Sequence, residues 1–483
     1  MQLHPARILD AASDRQRKRE PGIARWCARF SCNMGATRAC RSEPIVENLV
    51  RNSRAAGLLA VLCLASMWFY VERVLIPYQR AESAAHGVPR GNLSDLYPRW
   101  LGARVLLLDH QNPYSSATTR EIQRGYYGRE LDPRRSEDPT DQQAFAYPVY
   151  VVFLLAPTIV LPFEAVRSGF TWVLVGVTLA SVWLWLRAIG WNARPFSMSI
   201  ASMLMLGCFP VAQGLKLQQL TLLTSFLIAL GVALLVIDRR FWSGFVFAVA
   251  TIKPQLVVPL LLCLLLWTIS DWHRRQRFLW GFGLTMVALV GASEVVLPGW
   301  LHDFRQALSA YRRYVGGQSL LDQMLSPQVG HLFSAIALAV VILICWRFRR
   351  SEARSHEFQY MVVAALAVTL IVIPMFAPYN QVLLLPALLL IVREVRQLWH
   401  KSLMSRTAYC VTVGAIAWPW VACLGFMLGS IWLSPESLEH AWAIPLYTTL
   451  VIPVVLLVQL GSLVEVAWQS HEKTTTVAAP GTA

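Results

Sequence analysis

Apolar runs of membrane length recur along nearly the whole chain and limit its fold more than any other feature. The first lies at about 56–76. The others fall near 145–162, 166–187, 196–212, 219–237, 241–252, 254–270, 278–298, 329–346, 359–376, 380–396, 408–432 and 443–467. A run of about 17–25 apolar residues can cross a bilayer as a helix. The expectation is therefore an all-α polytopic membrane protein of about 11–13 transmembrane helices. Composition agrees: 55% of residues are hydrophobic and only 15% charged, where a soluble chain carries about a quarter. The 19 tryptophans suit the membrane–water boundary.

The formal charge of +15, from 43 basic and 28 acidic residues, could suggest a nucleic-acid partner. Its distribution argues for none. The basic residues sit in short loops and in the N-terminal segment, which is the positive-inside pattern of a membrane protein. The nine cysteines imply no disulfide framework, because Cys27, Cys32 and Cys40 lie in that segment and Cys63, Cys208, Cys263, Cys345, Cys410 and Cys423 lie in apolar runs. No histidine or fourth cysteine follows the first three at metal-ligand spacing.

Residues 1–55 hold eleven Arg/Lys against five Asp/Glu and no apolar run. They read as a disordered basic cytoplasmic tail, partly compatible with an over-called start site. They do not read as a signal peptide, since no cleavable apolar core follows promptly. Residues 77–143 hold nine Arg/Lys and nine Asp/Glu. That neutrality puts this loop outside and the tail inside. Residues 56–467 form the membrane domain, and 468–483 a disordered C-terminal tail. Basic clusters at Arg187–Arg194, Arg239–Arg240, Arg274–Arg277, Arg347–Arg354 and Arg393–Arg406 mark the inner side. Five segments then share the outer side with the first loop: Gln213–Gln219, the Lys253 junction, 299–328, Pro374–Gln381 and Ser434–Trp442. One parity conflict stands: if 145–162 and 166–187 both cross, Arg187–Arg194 falls outside, so 145–162 either re-enters or breaks the charge rule.

The outer first loop carries the densest chemistry, from Gly91 to Arg104. Leu96, Trp100, Ala103, Leu107 and Leu108 recur at helical spacing. They predict an amphipathic helix on the membrane surface, with Ser94 or Asp95 as N-cap. A second short helix is expected over Thr118–Tyr127. Asp95 can be a cap, a general base for an acceptor hydroxyl, or both. Lys253 sits between two apolar helices, either snorkelling to the interface or meeting an anion. Arg312 and Arg313 lie in an outer segment with His302, Asp303, Arg305, Asp322, Tyr311 and Tyr314. They are either a solvated helix face or a bidentate phosphate site. His331 reads as an interface histidine. Glu137, Asp138 and Asp141 read as a solvated acidic run. Glu294, the one acid deep in a run, is expected to face the bundle interior and pair with a base. No Walker loop, GxSxG or HExxH is present.

Several of these motifs together resemble glycosyltransferase family 87, polytopic enzymes of the GT-C superfamily. They are Asp95-Leu-Tyr with Arg104, Asn112-Pro113-Tyr114, Tyr147-Pro148, Phe209-Pro210-Val211 with Gln219, Ala250-Thr251-Ile252-Lys253-Pro254-Gln255, and Tyr379-Asn380-Gln381-Val382. The resemblance covers roughly residues 55–400. It departs at Val149, where a second proline is usual, at Gln218, where a glycine is usual, and at Tyr379-Asn380, which replaces a histidine-rich motif. These departures bear on the sugar and acceptor rather than on the reaction class.

The resemblance implies a GT-C-type bundle with no cofactor and no divalent metal. It implies a hexosyltransferase, mannose being a common sugar, that uses a polyprenyl-phosphate sugar donor and a lipid or glycan acceptor. The active site would be on the extracytoplasmic side of a multi-pass inner (plasma) membrane protein. The catalytic aspartate carried over by position is Asp95. Lys253, Arg312 and Arg313 become candidates for the donor phosphate, whose charge grows as the sugar leaves. Tyr97, Arg104, Tyr147, Gln219, Tyr379 and Asn380 become candidate substrate contacts. A single carboxylate fits inversion. The rival from another class is a non-enzymatic lipid or solute transporter, which would show inverted repeats and paired broken helices with midplane charges.

Overall fold

The computed structural model describes residues 53–88, 94–132, 134–315, 317–374 and 376–477. Most of the expected N-terminal tail, its three cysteines, Gly91–Leu93 and the last six residues lie outside these. Gly57–Ala483 form one compact unit; of the other, Met1–Ala56, only the start of the first helix is described.

Among the described residues every regular element is a helix. Six helices are long and apolar enough to cross a membrane: Arg54–Ala85, Phe163–Ala188, Trp272–Val296, Pro327–Phe348, Leu403–Gly429 and Pro435–Glu465. The protein is therefore a polytopic all-α membrane protein. Pro195–Leu206 and Phe209–Lys216 are together long and apolar enough for one further span and are bent by 61° at their break. Five further apolar helices are shorter, including Leu220–Val236, Pro254–Ile269 and His356–Val372. Leu220–Val236 and His356–Val372 are largely buried, as helices apolar on every side are, while Pro254–Ile269 leaves Leu262 and Ile269 exposed. The central core is built from Leu220–Val236, Pro254–Ile269 and His356–Val372 against Phe163–Ala188 and the last helix. Outward residues such as Trp172, Val287, Val295 and Met404 are exposed and apolar, as a lipid-facing surface requires.

Two close backbone approaches shape the bundle. The kink at Gly207 lies where an added Cβ would stand 2.7 Å from the Leu64 Cα. Carbonyls freed at that break are satisfied by tryptophans of two other helices: Trp68 Nε1 donates to Leu206 O at 3.2 Å and Trp420 Nε1 to Gly207 O at 2.6 Å. This is how a broken helix is tolerated at membrane depth. The other approach is the crossing of Arg240–Ala250 with Trp272–Val296, where Gly244 and Gly281 let the two backbones touch.

Several expectations change. Residues 145–162 form only a short helix, Val151–Leu155, and a 3-10 turn, Ala156–Thr158, before Pro162 starts the next helix. That is too short to span, so one crossing separates the first loop from Arg187–Arg194 and the parity conflict disappears. The first-loop helix is Tyr97–Leu108, with Leu96 at its N-cap and no side-chain cap bond. Ser94 holds the turn that leads into it, its hydroxyl accepting from the Leu96 N–H at 3.1 Å and its carbonyl from the Tyr97 N–H at 3.0 Å. The helix does not lie on a surface, since Trp100, Leu101, Ala103, Val105 and Leu106 are all buried. The second helix, Ser116–Tyr127, is capped by Ser115. Glu294 is exposed and accepts from the Gly299 N–H at 2.7 Å. The helix ends at Val296, so this acid lies in a last turn and has no base to find. The last helix runs on to Val477, past the apolar run ending near 467.

A second apolar cluster sits above the core. It joins Leu96, Trp100 and Leu101 of the first loop to Phe145, Tyr150, Leu220, Ile252 and Trp300. The first loop is thereby seated on the ends of the membrane helices, and the polar residues of interest lie along this junction.

Candidate active site

Asp95 is held by its backbone before its side chain is considered. Its N–H donates to Leu217 O at 3.0 Å, and the Ser94 hydroxyl reaches the same carbonyl at 3.3 Å. The first loop is thus tied to the turn that precedes Gln219. That turn needs an unusual backbone: Gln218 has φ 48°, a left-handed conformation that favours glycine. The glycine that the motif carries at this position has its explanation here. Gln218 holds the shape with its own amide, which donates to Leu215 O at 2.8 Å and to the Thr171 hydroxyl at 3.1 Å.

Past the turn, Gln219 caps the Leu220–Val236 helix and its side chain faces Asp95. The Gln219 Nε2 donates to the Asp95 carboxylate. Its Oε1 accepts from Lys253 Nζ at 2.7 Å. Lys253 also donates to the Thr221 hydroxyl at 2.7 Å, and Thr221 donates to Asn380 Oδ1 at 3.1 Å. One continuous chain of bonds therefore runs from Asp95 to Asn380. Lys253 is only 4% exposed. It is placed there because Pro254 starts the following helix and sets Lys253 outside it as N-cap, the usual use of proline at a helix start. Pro378 likewise starts a 3-10 helix, Pro378–Leu384, and Tyr379 and Asn380 lie in its first turn.

Aromatic rings close around this chain. The Lys253 ammonium lies 5.2 Å from the Tyr379 ring centre and 6.0 Å from that of Tyr147, within cation–π range. Arg99 lies 4.5 Å over the Tyr147 ring and donates to its hydroxyl at 3.2 Å and to the Asp95 carbonyl. Burial works against the Arg99 charge, but Tyr147 and Asp95 outweigh it and hold the guanidinium more firmly protonated than usual. Tyr126 and Tyr311 feel the Asp95 charge as well. Asp141, from the acidic run, also faces this region. Burial pushes its carboxyl above the ordinary range, and Asp95 adds to the effect. Its oxygens accept from the Gln143 N–H and side-chain amide at 2.9 and 2.8 Å. Asp138 instead pairs with Arg129.

The structure thus brings together Asp95, Gln219, Lys253, Tyr147, Tyr379 and Asn380. It places the other candidates elsewhere. Arg104 donates to Ile159 O at 2.6 Å, at the far end of its helix. Tyr97 packs edge-on against Phe163 at 4.9 Å and covers Gly125. Arg312 and Arg313 are exposed, on the outer side of the Trp300–Val315 helix whose Tyr311 feels the cluster's charges. Asn112 and Tyr114 brace the site: Asn112 donates to Asp303 at 2.6 Å, and the Tyr114 hydroxyl donates to the Tyr147 carbonyl. His331 lies 3.7 Å from Asp322, away from the cluster. Arg99 and Thr221 are the two members not singled out from the sequence. Arg99 had one signal, its spacing of four from Asp95. Thr221 had none, being one hydroxyl inside an apolar run.

Four of the five segments expected on the outer side, together with the first loop, meet at this cluster. A polytopic helical protein with a carboxylate, a buried lysine, a half-buried arginine and tyrosines at one end of its bundle has the parts of a membrane group-transfer enzyme. Comparison with protein families makes the class specific: residues 145–374 match the sequence model of Glycosyltransferase family 87, the family that the motifs resemble. At the level of class the protein is a membrane glycosyltransferase. The matched stretch holds Tyr147, Gln219, Thr221, Lys253 and Tyr311; Asp95, Arg99, Tyr379 and Asn380 lie outside it and are joined to it by the bonds above. Comparison with curated proteins and with solved structures gives no match.

Proposed function

We propose that the protein transfers a hexosyl group from a polyprenyl-phosphate sugar to a lipid or glycan acceptor on the extracytoplasmic face of the plasma membrane, with inversion. The observation that carries this reading is the hydrogen-bonded chain from Asp95 through Gln219 to Lys253, set among tyrosines. Asp95 takes the proton of the acceptor hydroxyl as that oxygen attacks the anomeric carbon of the donor. The bond from the anomeric carbon to phosphate oxygen breaks. The phosphate, a diester with one negative charge in the donor, leaves as a monoester with a second. Cations held ready where that charge appears lower the barrier. Arg99 and Lys253 supply the positive field, with Arg99 beside Asp95 in the place first expected for Arg312 or Arg313. The helix starting at Leu220 and the one starting at Pro254 add their positive ends. Tyr147 and Tyr379 offer ring faces to a sugar, and Asn380 a polar contact. No step calls for a metal or cofactor.

The test is turnover by the purified full-length protein in nanodiscs. A panel of radiolabelled polyprenyl-phosphate hexoses is supplied with a membrane lipid extract, and wild type is compared with Asp95→Asn. Label moving into a new product with wild type alone is the expected result. Transfer that survives Asp95→Asn removes Asp95 as base, and a product of retained configuration removes inversion.

A further inference from the structure

We infer that Lys253 is a positioning residue: it fixes which end of the Gln219 amide faces Asp95, and so keeps the carboxylate ready to accept a proton. The inference rests on the reading of Asp95 as base. Its ground is the direction of the bonds. An ammonium has three donors and no acceptor, so the Gln219 atom 2.7 Å from Lys253 Nζ must be the oxygen. The NH2 end is then the end that meets Asp95. A donor aimed at a carboxylate favours its charged form. Without Lys253 only the charge of Asp95 itself selects the NH2 end, and the amide is free to turn once that carboxyl takes a proton. An amide turned over would present oxygen to Asp95, an arrangement only a protonated carboxyl satisfies.

Lys253 is well suited to this task and poorly placed to leave it. A second proton goes to Thr221, which is itself held by Asn380. The remaining side faces the Tyr147 and Tyr379 rings. The Gln219 backbone is fixed too, its N–H donating to Gly214 O at 2.8 Å. The amide can therefore turn about its own side-chain bonds but cannot move away. The contribution of Lys253 to the phosphate is its field at a distance, while its direct bonds are spent within the protein.

Other groups also act on Asp95 and must stay constant in any test. The charged ones are Arg99 on the Tyr97–Leu108 helix that follows it, Lys216 on Phe209–Lys216, and Asp141. The titratable ones are Tyr126, Tyr127, Tyr311 and Tyr379.

The experiment is the rate–pH profile of transfer by the full chain, using the active radiolabelled polyprenyl-phosphate hexose and lipid extract. Wild type, Lys253→Met, Gln219→Leu and the double variant are compared, with Asp95→Asn as reference. Lys253→Met should move the acidic limb upward by about one pH unit, the size of one charge-assisted hydrogen bond. Its donor KM should stay within about twofold of wild type. The double variant should move the limb no further than Gln219→Leu alone, because the two residues act in series. Equal shifts from Lys253→Met with and without Gln219 would mean a field acting directly through space, and would overturn the inference. So would an unmoved limb with a donor KM raised about tenfold, the mark of a phosphate ligand. Should Lys253→Met fail to fold, Thr221→Val loosens the same lysine while keeping its charge. A smaller upward shift then supports the inference and an unmoved limb rejects it. An Asp95→Asn enzyme as active as wild type instead removes the base reading itself, whatever Lys253 does.

Discussion

Adding one methyl group at Gly281 should cost more stability than any other glycine-to-alanine change in its helix. A Cβ there would stand 2.0 Å from the Phe241 carbonyl oxygen and 2.8 Å from its carbon. Non-bonded carbons rest at about 3.5–4.0 Å, so the two helices must part by about 1 Å or more. The obstacle is backbone, which cannot swing aside as a side chain can. Overpacking in a core costs about 1–3 kcal/mol, and this site belongs at the upper end. Alanine returns about 1 kcal/mol of helix propensity, leaving a net loss of about 2 kcal/mol. Gly283→Ala is the control. Two positions along the same helix, its added Cβ meets nothing within 4 Å, so it should be neutral or stabilising by up to about 1 kcal/mol. The assay is reversible unfolding of both variants in the same detergent, followed by tryptophan fluorescence, with transfer activity in parallel. Activity should fall with Gly281→Ala as well, because the displaced Arg240–Ala250 helix ends just before Lys253. Equal stability of the two variants would refute the close crossing on which this reasoning depends.

Two further outcomes follow from local geometry. Gln218→Gly removes the left-handed strain and two hydrogen bonds together, whereas Gln218→Ala loses the bonds and keeps the strain. Thermal unfolding should therefore find the glycine variant the more stable by about 1 kcal/mol. In the first loop, the Arg129 guanidinium beside Asp138 lowers its carboxyl from the ordinary 3.8 to about 2. A lowered carboxyl stabilises the folded loop above its ordinary value, and that contribution is lost as pH falls through the folded value. Hydrogen exchange of residues 129–141 should rise as pH is lowered from about 4 to about 2, and Asp138→Asn should abolish that dependence.

The membrane class was legible because long apolar runs leave the backbone no other choice. Most of the site was legible for a related reason. Gln219, Lys253, Tyr379 and Asn380 stand at helix starts, two of them, Lys253 and Tyr379, marked by an adjacent proline, so they read as motifs in otherwise apolar sequence. What failed was finer. Arg99 looked like one of nine basic residues in a neutral loop, and burial cannot be read from that. Glu294 was read as deep because the apolar run outlasts the helix, which stops before Gly299. The helical phase of 300–315 carries the placement of its arginines: Trp300, Phe304 and Tyr311 share one face, which turns Arg312 and Arg313 away from it. Whether 145–162 crosses was open because five helical residues and a span look alike while flanked by apolar neighbours.

The order of residues in the bonded chain bears on how the protein is made. A lysine delivered to a bilayer alone costs several kcal/mol. Synthesis runs from the N-terminus, and Asp95, Gln219 and Thr221 all precede Lys253. When the lysine leaves the ribosome, the oxygen atoms that receive its protons are already in the membrane. Only Asn380, which bonds Thr221 and not the lysine, arrives later. The ammonium can therefore find its hydrogen-bond acceptors during insertion and need not wait for the bundle to be complete.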